Sequence, residues 1–371
     1  MNMRKLLIVL MGCVFAVAAF ATPVTESETG PILIGVAGPH SGDLAPYGIP
    51  TVHAAELVAE RVNAAGGING RLVELIIEDD ECNEATAANT AAKLVSDGVV
   101  GVIGHICSGA TGVALPIYME SDILIISPSA TNPTLTENEN FYRTISPDDA
   151  QAALQANFAI DTLGVSSVAI LHDQQSYGQG LADLTKGFLE AAGVDIPVYE
   201  GITVGAVDYS AVINLIDAAD VDLVIFGGYH PEASKLVTQM RDRGMDVPFM
   251  AGDGIKDQSF LNLAGDAAEG VYATGPQDTA GNPLVAEYQQ AHVDEYGEEP
   301  GAFFLEGVAA TLALVNAIEA AGSTSYDALT EALHTEYVDT PVGRISFDEK
   351  GDATGIGFSV YQVVNGVYVE Q

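Results

Sequence analysis

Short apolar runs recur along the chain beyond its first thirty residues. Seven of them are nearly continuous and show no alternation of apolar and polar positions; they occupy residues 32–37, 72–77, 99–104, 123–126, 168–171, 221–226 and 248–251. Runs of four to six apolar residues without alternation are typical of parallel β-strands that are buried on both faces. The pattern therefore predicts open parallel sheets covered by helices.

Helical patterns lie between these runs. In residues 51–65 and 181–192 the apolar positions recur every three or four residues and share one face, namely Val52, Ala55, Ala59 and Val62, and then Leu181, Leu184, Phe188 and Ala192. A further long helix is predicted over 301–321, and a polar turn between apolar strands over 348–352. Alternating strands and helices indicate an α/β fold with right-handed crossovers.

The order of elements repeats with a sequence echo. Tyr47-Gly48 follows the first strand and Tyr177-Gly178 follows the strand at 168–171, and each helix then ends in Ala-Ala-Gly. We therefore expect two similar lobes, with the chain crossing between them more than once. The predicted organisation is a linker over 22–31, a first lobe from 32–149 plus 277–355, and a second lobe from 150–276 plus 356–371.

The N-terminus has the features of a signal peptide. Arg4 and Lys5 precede an almost unbroken apolar stretch over 6–20, and Ala19-Phe20-Ala21 supplies the small-residue pattern of a cleavage site. This predicts cleavage after Ala21 and export to the periplasm. Lipid attachment at Cys13 stays open as an alternative, although the apolar stretch continues for seven residues beyond it.

Composition narrows the class of partner. The 371 residues include 13 Lys and Arg against 51 Asp and Glu, a net charge of −38. Such a charge disfavours nucleic acid and anionic membranes as partners, and it suits a solvated acidic surface, as in saline habitats.

Export leaves Cys82 and Cys107 in an oxidising compartment, which predicts a disulfide. A metal site at His105 and Cys107 lacks further ligands at suitable spacing.

Residues after the apolar runs indicate a binding site, because ligands of open parallel sheets lie beyond the carboxyl ends of the strands. These residues are small, hydroxylated or aromatic, with one carboxylate and no Lys or Arg: Ser41, Tyr47, His105, Cys107, Ser108, Ser129, Ala130, Thr131, His172, Tyr177, Tyr229 and Asp253. Hydroxyls and helix N-termini at Ser108 and Thr131 can hold a carboxylate, and Asp253 can hold an ammonium group. The set fits an α-amino acid. Ser108 and Thr131 as simple helix caps, and the tyrosines as packing residues, are the alternatives.

Motifs for catalysis and cofactors are not found in the sequence. It contains no G-x-G-x-x-G after a strand, no P-loop, no H-E-x-x-H and no G-x-S-x-G. Asp348 to Asp352 has the wrong ligand spacing for a calcium loop, so we expect a tight turn. The sequence thus predicts a protein that is not an enzyme and uses no cofactor or metal.

Longer motifs carry a family resemblance that covers nearly the whole chain after residue 32. They occur in order as Ser41-Gly42 with Tyr47-Gly48, Asn63-Ala-Ala-Gly-Gly-Ile-Asn-Gly70, Asp79-Asp-Glu-Cys82, Gly104-His-Ile-Cys-Ser108, Ser127-Pro-Ser-Ala-Thr131, His172-Asp-Gln-Gln-Ser-Tyr-Gly178, Gly227-Gly-Tyr-His-Pro-Glu232, Gly301-Ala-Phe303 and Phe347-Asp-Glu-Lys-Gly-Asp352. With these motifs the chain resembles the periplasmic leucine/isoleucine/valine-binding proteins of branched-chain amino acid ABC transporters. The resemblance implies two α/β lobes joined by three strands, a hinged fold of the Venus-flytrap type.

The resemblance also assigns roles to individual residues. It implies that Ser108 and Thr131 hold the ligand carboxylate, and that the Ser129 carbonyl, the Thr131 hydroxyl and Asp253 hold the ammonium. Tyr177 and Tyr229 of the second lobe would close over the ligand. The wall around the aliphatic side chain would consist of Tyr47, Ile106, Cys107, Ala130 and Phe303. Asp253 replaces the usual Glu of the family, and Ser129 replaces an Ala of leucine-binding relatives.

The expected function is the capture of leucine, isoleucine or valine and its delivery to a membrane permease, by a protein that acts as a monomer. The alternative is a binder or sensor of the same fold for another amino acid, an amide or urea. A carboxylate at Asp253 opposite Ser108 and Thr131 favours the first function, because amides and urea carry no ammonium group.

Overall fold

The structure is a computed structural model that describes residues 30–371. The predicted signal peptide, residues 22–29 of the predicted linker and Cys13 lie outside the described residues. The order of elements within the described part is the alternation that the apolar runs predict.

The strands are β1 (Ile32–Gly38), β2 (Val73–Asp79), β3 (Gly101–Ile103), β4 (Leu124–Ser127), β5 (Phe141–Arg143), β6 (Ser167–His172), β7 (Asp195–Gly201), β8 (Leu223–Gly227), β9 (Phe249–Ala251), β10 (Tyr272–Pro276), β11 (Val338–Thr340), β12 (Gly343–Ile345), β13 (Phe358–Val364) and β14 (Val367–Glu370). The α-helices are α1 (Ala45–Ala64), α2 (Glu84–Asp97), α3 (Ser108–Met119), α4 (Asp148–Asn157), α5 (Ser176–Ala191), α6 (Ser210–Ala219), α7 (His230–Asp242), α8 (Gln258–Ala264), α9 (Pro283–Tyr296), α10 (Phe304–Ala321) and α11 (Tyr326–Thr335). Each of the seven apolar runs that predict strands overlaps an observed strand.

Two sheets form the centres of two lobes, as the sequence predicts. The first has the order β2-β1-β3-β4-β5 and is parallel throughout. The second contains the same arrangement, β7-β6-β8-β9-β10, and is extended beyond β10 by the antiparallel strands β13 and β14. In each sheet the second strand lies on one side of the first strand and all later strands lie on the other side. The topological switch point is therefore beside β1 in the first sheet and beside β6 in the second. The carboxyl ends of the strands at such a point are where open sheets bind ligands.

The repeated Tyr-Gly pair has a steric cause. A Cβ atom on Gly48 would lie 2.0 Å from the Pro39 carbonyl oxygen, and one on Gly178 would lie 2.4 Å from the Gly227 carbonyl oxygen. In both lobes glycine lets the first turn of a helix approach a neighbouring loop closely. The tyrosine before each glycine is thereby placed at the rim of its sheet.

Helix α10 packs in the core of the first lobe. Its apolar side chains lie in one cluster with those of α1, β1 and β3, including Ile34, Val58 and Ile103. Within the described residues α10 is the one helix with the length and composition to cross a membrane, and 67% of it is buried inside the structure. This burial explains its apolar sequence as that of a core helix.

Three passages of the chain connect the lobes: one between β5 and α4, one after β10, and one before β13. The third lies between the other two, since Ser146 Oγ donates to the Ile356 carbonyl at 3.3 Å and Gln277 N to the Gly357 carbonyl at 3.1 Å. Residues 31–371 form one compact unit. The lobe boundaries at 149, 276 and 355 stay predictions.

Two helix starts differ from the expectation. Helix α1 begins at Ala45 rather than at 51, because Pro46 and Pro50 make its first turns resemble a loop in sequence. Pro46 fits a helix start, whereas Pro50 lies inside the helix. Helix α10 begins at Phe304 rather than at 301, because Phe303 has φ 61°, outside the right-handed helical region. The expected turn is present at 348–352, where Asp348 Oδ1 accepts the backbone N–H groups of Lys350 and Asp352.

Candidate functional site

The start of α3 supplies the first wall of the site. Cys107 is the N-cap of α3, Ser108 is its first residue, and Ile106 precedes them at the carboxyl end of β3. All three are buried. Cys107 is joined to Cys82 as the expected disulfide, with 5.6 Å between the Cα atoms. The disulfide thus ties the start of α3 to the loop that follows β2.

The loop after β4 lies against this segment through serine hydroxyls. Ser129 Oγ donates to the Ile106 carbonyl at 2.9 Å, and Ser127 Oγ donates to the His105 carbonyl at 2.5 Å. Ser127 Oγ also accepts the Ala130 backbone N–H at 2.9 Å. The two loops of the first lobe that carry most of the predicted site residues are therefore fixed to each other.

A buried arginine orients the second of these loops. Arg143 Nη1 donates to the carbonyls of Ala130, Thr131 and Asn132 at 3.3, 2.9 and 3.2 Å. Its Nε lies 2.5 Å from Asp352 Oδ1. The guanidinium is thus used to hold the loop at a fixed position, and the side chain is fully buried.

Asp253 lies opposite, on a short 3-10 helix that follows β9 in the second lobe. Its carboxylate Oδ1 accepts hydrogen bonds from the Tyr177 hydroxyl at 2.7 Å and from Gln151 Nε2 at 2.9 Å. Its backbone N–H donates to Gln151 Oε1 at 3.0 Å. Burial raises the pKa of Asp253, because the charged form loses hydration, while these hydrogen bonds oppose the rise.

A second buried carboxyl group adjoins Asp253. Asp148, in the first turn of α4, accepts Gln151 Nε2 at 3.2 Å, so one amide group contacts both acids. Burial raises the pKa of Asp148, and the nearby charge of Asp253 raises it further. Asp148 Oδ2 and the Thr131 hydroxyl are fully buried, and neither makes a hydrogen bond of good geometry within the described residues. The Thr131 hydroxyl nevertheless interacts with the Asp148 carboxyl and opposes the rise of its pKa. Both groups therefore keep hydrogen-bonding capacity for a ligand.

These elements enclose a small cavity between the lobes. Its volume is about 10 Å³, and its lining combines both lobes: Tyr47, Ile106, Ser108, Ser129, Tyr177, Tyr229, Asp253, Gly254 and Phe303. That volume is close to the space that one water molecule requires. An amino acid can therefore enter only when the lobes move apart.

Eight of the eleven residues predicted to bind the ligand line this cavity. Of the other three, Cys107 and Ala130 adjoin lining residues in the sequence, Thr131 follows Ala130, and all three are buried. His105, which the sequence places close by, does not line the cavity; its ring lies 2.6 Å from Asp80 Oδ2 and 3.0 Å from the Tyr118 hydroxyl. The cavity lining holds one carboxylate and no Lys or Arg.

Behind Asp253 and Phe303 lies a larger cavity of about 380 Å³, at the chain passage that follows β10. Lys256 and Glu306 are among its lining residues. Burial raises the pKa of Glu306 to about 7 and lowers the pKa of Lys256. The Lys256 amino group lies 4.1 Å from the centre of the Tyr361 ring. The lysine is thus held away from the small cavity.

The sequence analysis missed Asp148, Gln151 and Arg143. Asp148 and Gln151 do not follow a strand; they begin a helix directly after a passage between the lobes, where an acidic residue is an ordinary favourable choice. Arg143 lies at the end of the short strand β5, which no apolar run predicts. The one available signal is that Arg143 is among only 13 basic residues and stands in an apolar context.

Among residues 30–371 no group of three or more His, Cys, Asp or Glu side chains is arranged to hold a metal ion. The donor set around the cavity consists instead of hydroxyls, one amide and two carboxyls. Such a set suits an organic ligand that bears both charges.

Comparisons with known proteins agree with this geometry. Residues 31–366 match the family model described as "Periplasmic binding protein". The leucine-, isoleucine-, valine-, threonine- and alanine-binding protein of Pseudomonas aeruginosa is 37% identical over 353 residues, covering 94% of this chain and 93% of that protein.

Solved structures that are similar in fold include two with more than 25% identity and a TM-score above 0.8. The leucine binding protein LivK of Thermotoga maritima has a TM-score of 0.86 at 27% identity, covering 92% of this chain and 97% of its own. The substrate binding protein LivJ of Streptococcus pneumoniae, in complex with isoleucine, has a TM-score of 0.82 at 26% identity, covering 92% and 100%. The chain therefore belongs to the periplasmic binding protein family, whose members are non-enzymatic components of transport systems in the periplasm.

Proposed function

We propose that this protein captures leucine, isoleucine or valine between its two lobes and delivers it to the membrane permease of an ABC transporter. The names of its relatives support this ligand class. The residues that line the cavity support it independently, because each part of a branched-chain amino acid finds a suitable group there.

Asp253 is the observation that carries the proposal. It is 3% exposed, it faces a cavity without a lining Lys or Arg, and burial raises its pKa. A buried carboxylate without a counter-ion is stabilised by a ligand that brings a positive charge. The ammonium group of an amino acid is such a charge, and the Ser129 carbonyl is its second acceptor.

The ligand carboxylate is held on the first lobe. Ser108 lies at the N-terminus of α3, a helix of 12 residues whose dipole favours negative charge there. Thr131 contributes a buried hydroxyl that makes no hydrogen bond of good geometry within the described residues, although it interacts with the Asp148 carboxyl. The loop that carries Thr131 is already held by Arg143, so binding does not need to order it.

The aliphatic side chain contacts an apolar wall. On the first lobe the wall consists of Tyr47, Ile106, Cys107, Ala130 and Phe303, which are all buried. On the second lobe, Tyr177 and Tyr229 lie with ring centres 5.2 Å apart. A wall of this composition offers no counter-charge, so acidic and basic amino acids are rejected.

The remaining parts of the proposal concern the cell. We expect cleavage after Ala21, which removes Arg4 and Lys5 and leaves a net charge of 11 − 51 = −40. We also expect a monomer, with the two lobes as the surface that the permease contacts.

Isothermal titration calorimetry tests the function. The panel consists of leucine, isoleucine, valine, threonine, alanine, glutamate, arginine, acetamide and urea. We expect the three branched-chain amino acids to bind most tightly. Tighter binding of glutamate, arginine, acetamide or urea would refute the proposal and support another ligand for the same fold.

A further inference from the structure

The Tyr47 hydroxyl connects the two lobes directly. Tyr47 belongs to α1 of the first lobe, and its hydroxyl lies 2.5 Å from His230 Nδ1 and 2.6 Å from the Gly254 carbonyl oxygen, both in the second lobe. Tyr47 is 1% exposed. Its ring lines the cavity, but its hydroxyl is engaged by the protein. We call this contact the Tyr47 latch.

The protons of the latch can be assigned from its partners. A carbonyl oxygen only accepts, so the single hydroxyl proton of Tyr47 is donated to Gly254. His230 Nδ1 must then carry a proton and donate it to the Tyr47 oxygen. These interlobe hydrogen bonds form only when the lobes are together, and water replaces them when the lobes open.

A second contact connects the lobes through Asn132. Its side-chain Nδ2 donates to the Ser176 carbonyl at 2.7 Å and lies 3.3 Å from Ser176 Oγ, at the start of α5 in the second lobe. Its Oδ1 accepts the Thr134 backbone N–H at 3.0 Å, within the first lobe. Close packing accompanies this Asn132 latch, since a Cβ on Gly180 would lie 2.8 Å from Nδ2.

From this arrangement we infer that the Tyr47 and Asn132 latches set the stability of the closed state, and hence the residence time of the ligand, without contributing to ligand selectivity. The part that concerns the residence time of the ligand rests on the proposed function. Neither the Tyr47 hydroxyl nor the Asn132 amide is needed to bind a ligand group, because both are bonded to the opposite lobe.

A latch of this kind acts on every ligand equally. Observed affinity is reduced by the fraction of protein that is not in the binding-competent state, whatever the ligand. A residue that contacts the ligand side chain changes the ratio of affinities between ligands, whereas a latch lowers all of them by one factor. Because release requires opening, most of the change is expected in the dissociation rate.

Four variants separate the latches from general effects on stability. Tyr47→Phe removes the hydroxyl and keeps the ring. Tyr142→Phe is its control, because the Tyr142 hydroxyl also contacts a histidine, His334 Nε2 at 3.2 Å, but does so within the first lobe. Asn132→Ser keeps a capping oxygen, and Asn282→Ser is its control. Asn282 also caps a helix, α9, and its amide donates to the Thr340 and Pro341 carbonyls rather than to a group of the second lobe.

His230 supplies a rescue test of the proton assignment. In His230→Asn the side-chain amide occupies the position of Nδ1 and can still donate to Tyr47, whereas His230→Leu cannot donate. We expect the leucine variant to behave as Tyr47→Phe does and the asparagine variant to recover most of the wild-type value.

The measurements are small-angle X-ray scattering of the unliganded proteins and stopped-flow dissociation of leucine, isoleucine and valine. We expect Tyr47→Phe to increase the radius of gyration and to speed ligand release about tenfold. We expect Asn132→Ser to speed release about threefold. Each variant should change the release rate by the same factor for all three ligands. The control variants should match wild type in both measurements.

The outcomes distinguish this inference from the proposed function. If wild type binds no branched-chain amino acid, the function is refuted, and scattering alone then decides whether the latches hold the lobes together. If wild type binds and the variants show unchanged scattering and unchanged release, the latches are refuted while the function stands. Release that accelerates for one ligand only would also overturn the inference.

Discussion

Replacing Asp253 by asparagine tests the charge that the site provides for an amino acid. The change is nearly isosteric and removes one negative charge from a side chain that is 3% exposed. Both side-chain donors, the Tyr177 hydroxyl and Gln151 Nε2, donate their hydrogen bonds to Oδ1 of Asp253. The oxygen of the new amide therefore stays at Oδ1, and its NH₂ group takes the place of Oδ2, where its protons face the ligand ammonium.

The magnitude follows from this geometry. A unit charge pair about 4 Å apart interacts by about 4 kcal/mol at an effective dielectric constant of about 20. A buried ion that loses its partner costs about 3–5 kcal/mol. At 1.4 kcal/mol for each factor of ten, the affinity for leucine should fall by about a hundredfold or more.

The assay compares leucine titrations and unliganded melting curves. Because burial raises the pKa of Asp253, removing the charge should leave the melting temperature unchanged or raise it slightly. Asp173→Asn is the matched control, since Asp173 is also 3% exposed in the second lobe but does not line the cavity. Normal leucine binding by Asp253→Asn would refute the assignment of this residue and the proposed orientation of the ligand.

Three further predictions concern selectivity, salt and pH. Discrimination among leucine, isoleucine and valine should amount to only about 1–3 kcal/mol, because one methylene in an apolar pocket contributes no more, and competition titrations will measure it. The net charge of −38 means that negative side chains repel one another and destabilise the folded state, and salt screens this repulsion. The melting temperature should therefore rise between low and about 1 M salt, and a flat response would contradict this. Glu306 has a pKa of about 7 when folded against an ordinary 4.5, so its contribution to stability is present below about pH 4.5 and is lost as pH rises through 7. Glu306→Gln should accordingly raise the free energy of unfolding by up to about 3 kcal/mol at pH 8 and by little at pH 5, as measured by urea titration.

Seven of the strands could be predicted because parallel strands that are covered on both faces require continuous apolar sequence. Strand β7 escaped prediction for the opposite reason: it lies at the edge of its sheet, and residues 195, 197, 200 and 201 are exposed. Its sequence therefore carries no apolar run. The same holds for β14, the other edge strand, which is largely exposed as well.

Site residues were predictable where the fold concentrates them at strand ends. Asp253 and Ser108 each lie within four residues of the end of an apolar run, so the rule for open sheets finds them. Asp148 and Gln151 come close to Asp253, behind the cavity lining, only because the chain passes from one lobe to the other just before α4. That approach depends on how the two lobes face each other, which no local pattern encodes.

The three passages between the lobes have a mechanical consequence. Because the third passage is hydrogen-bonded to both of the others, the three behave as one strap that can bend but resists sliding and twisting. Opening is then a rotation about a single axis, and one distance across the cleft describes it. The chain contains no tryptophan whose emission could report this motion. Two dyes placed on opposite rims, far from the strap, would report that distance and turn the protein into an optical sensor of its ligand.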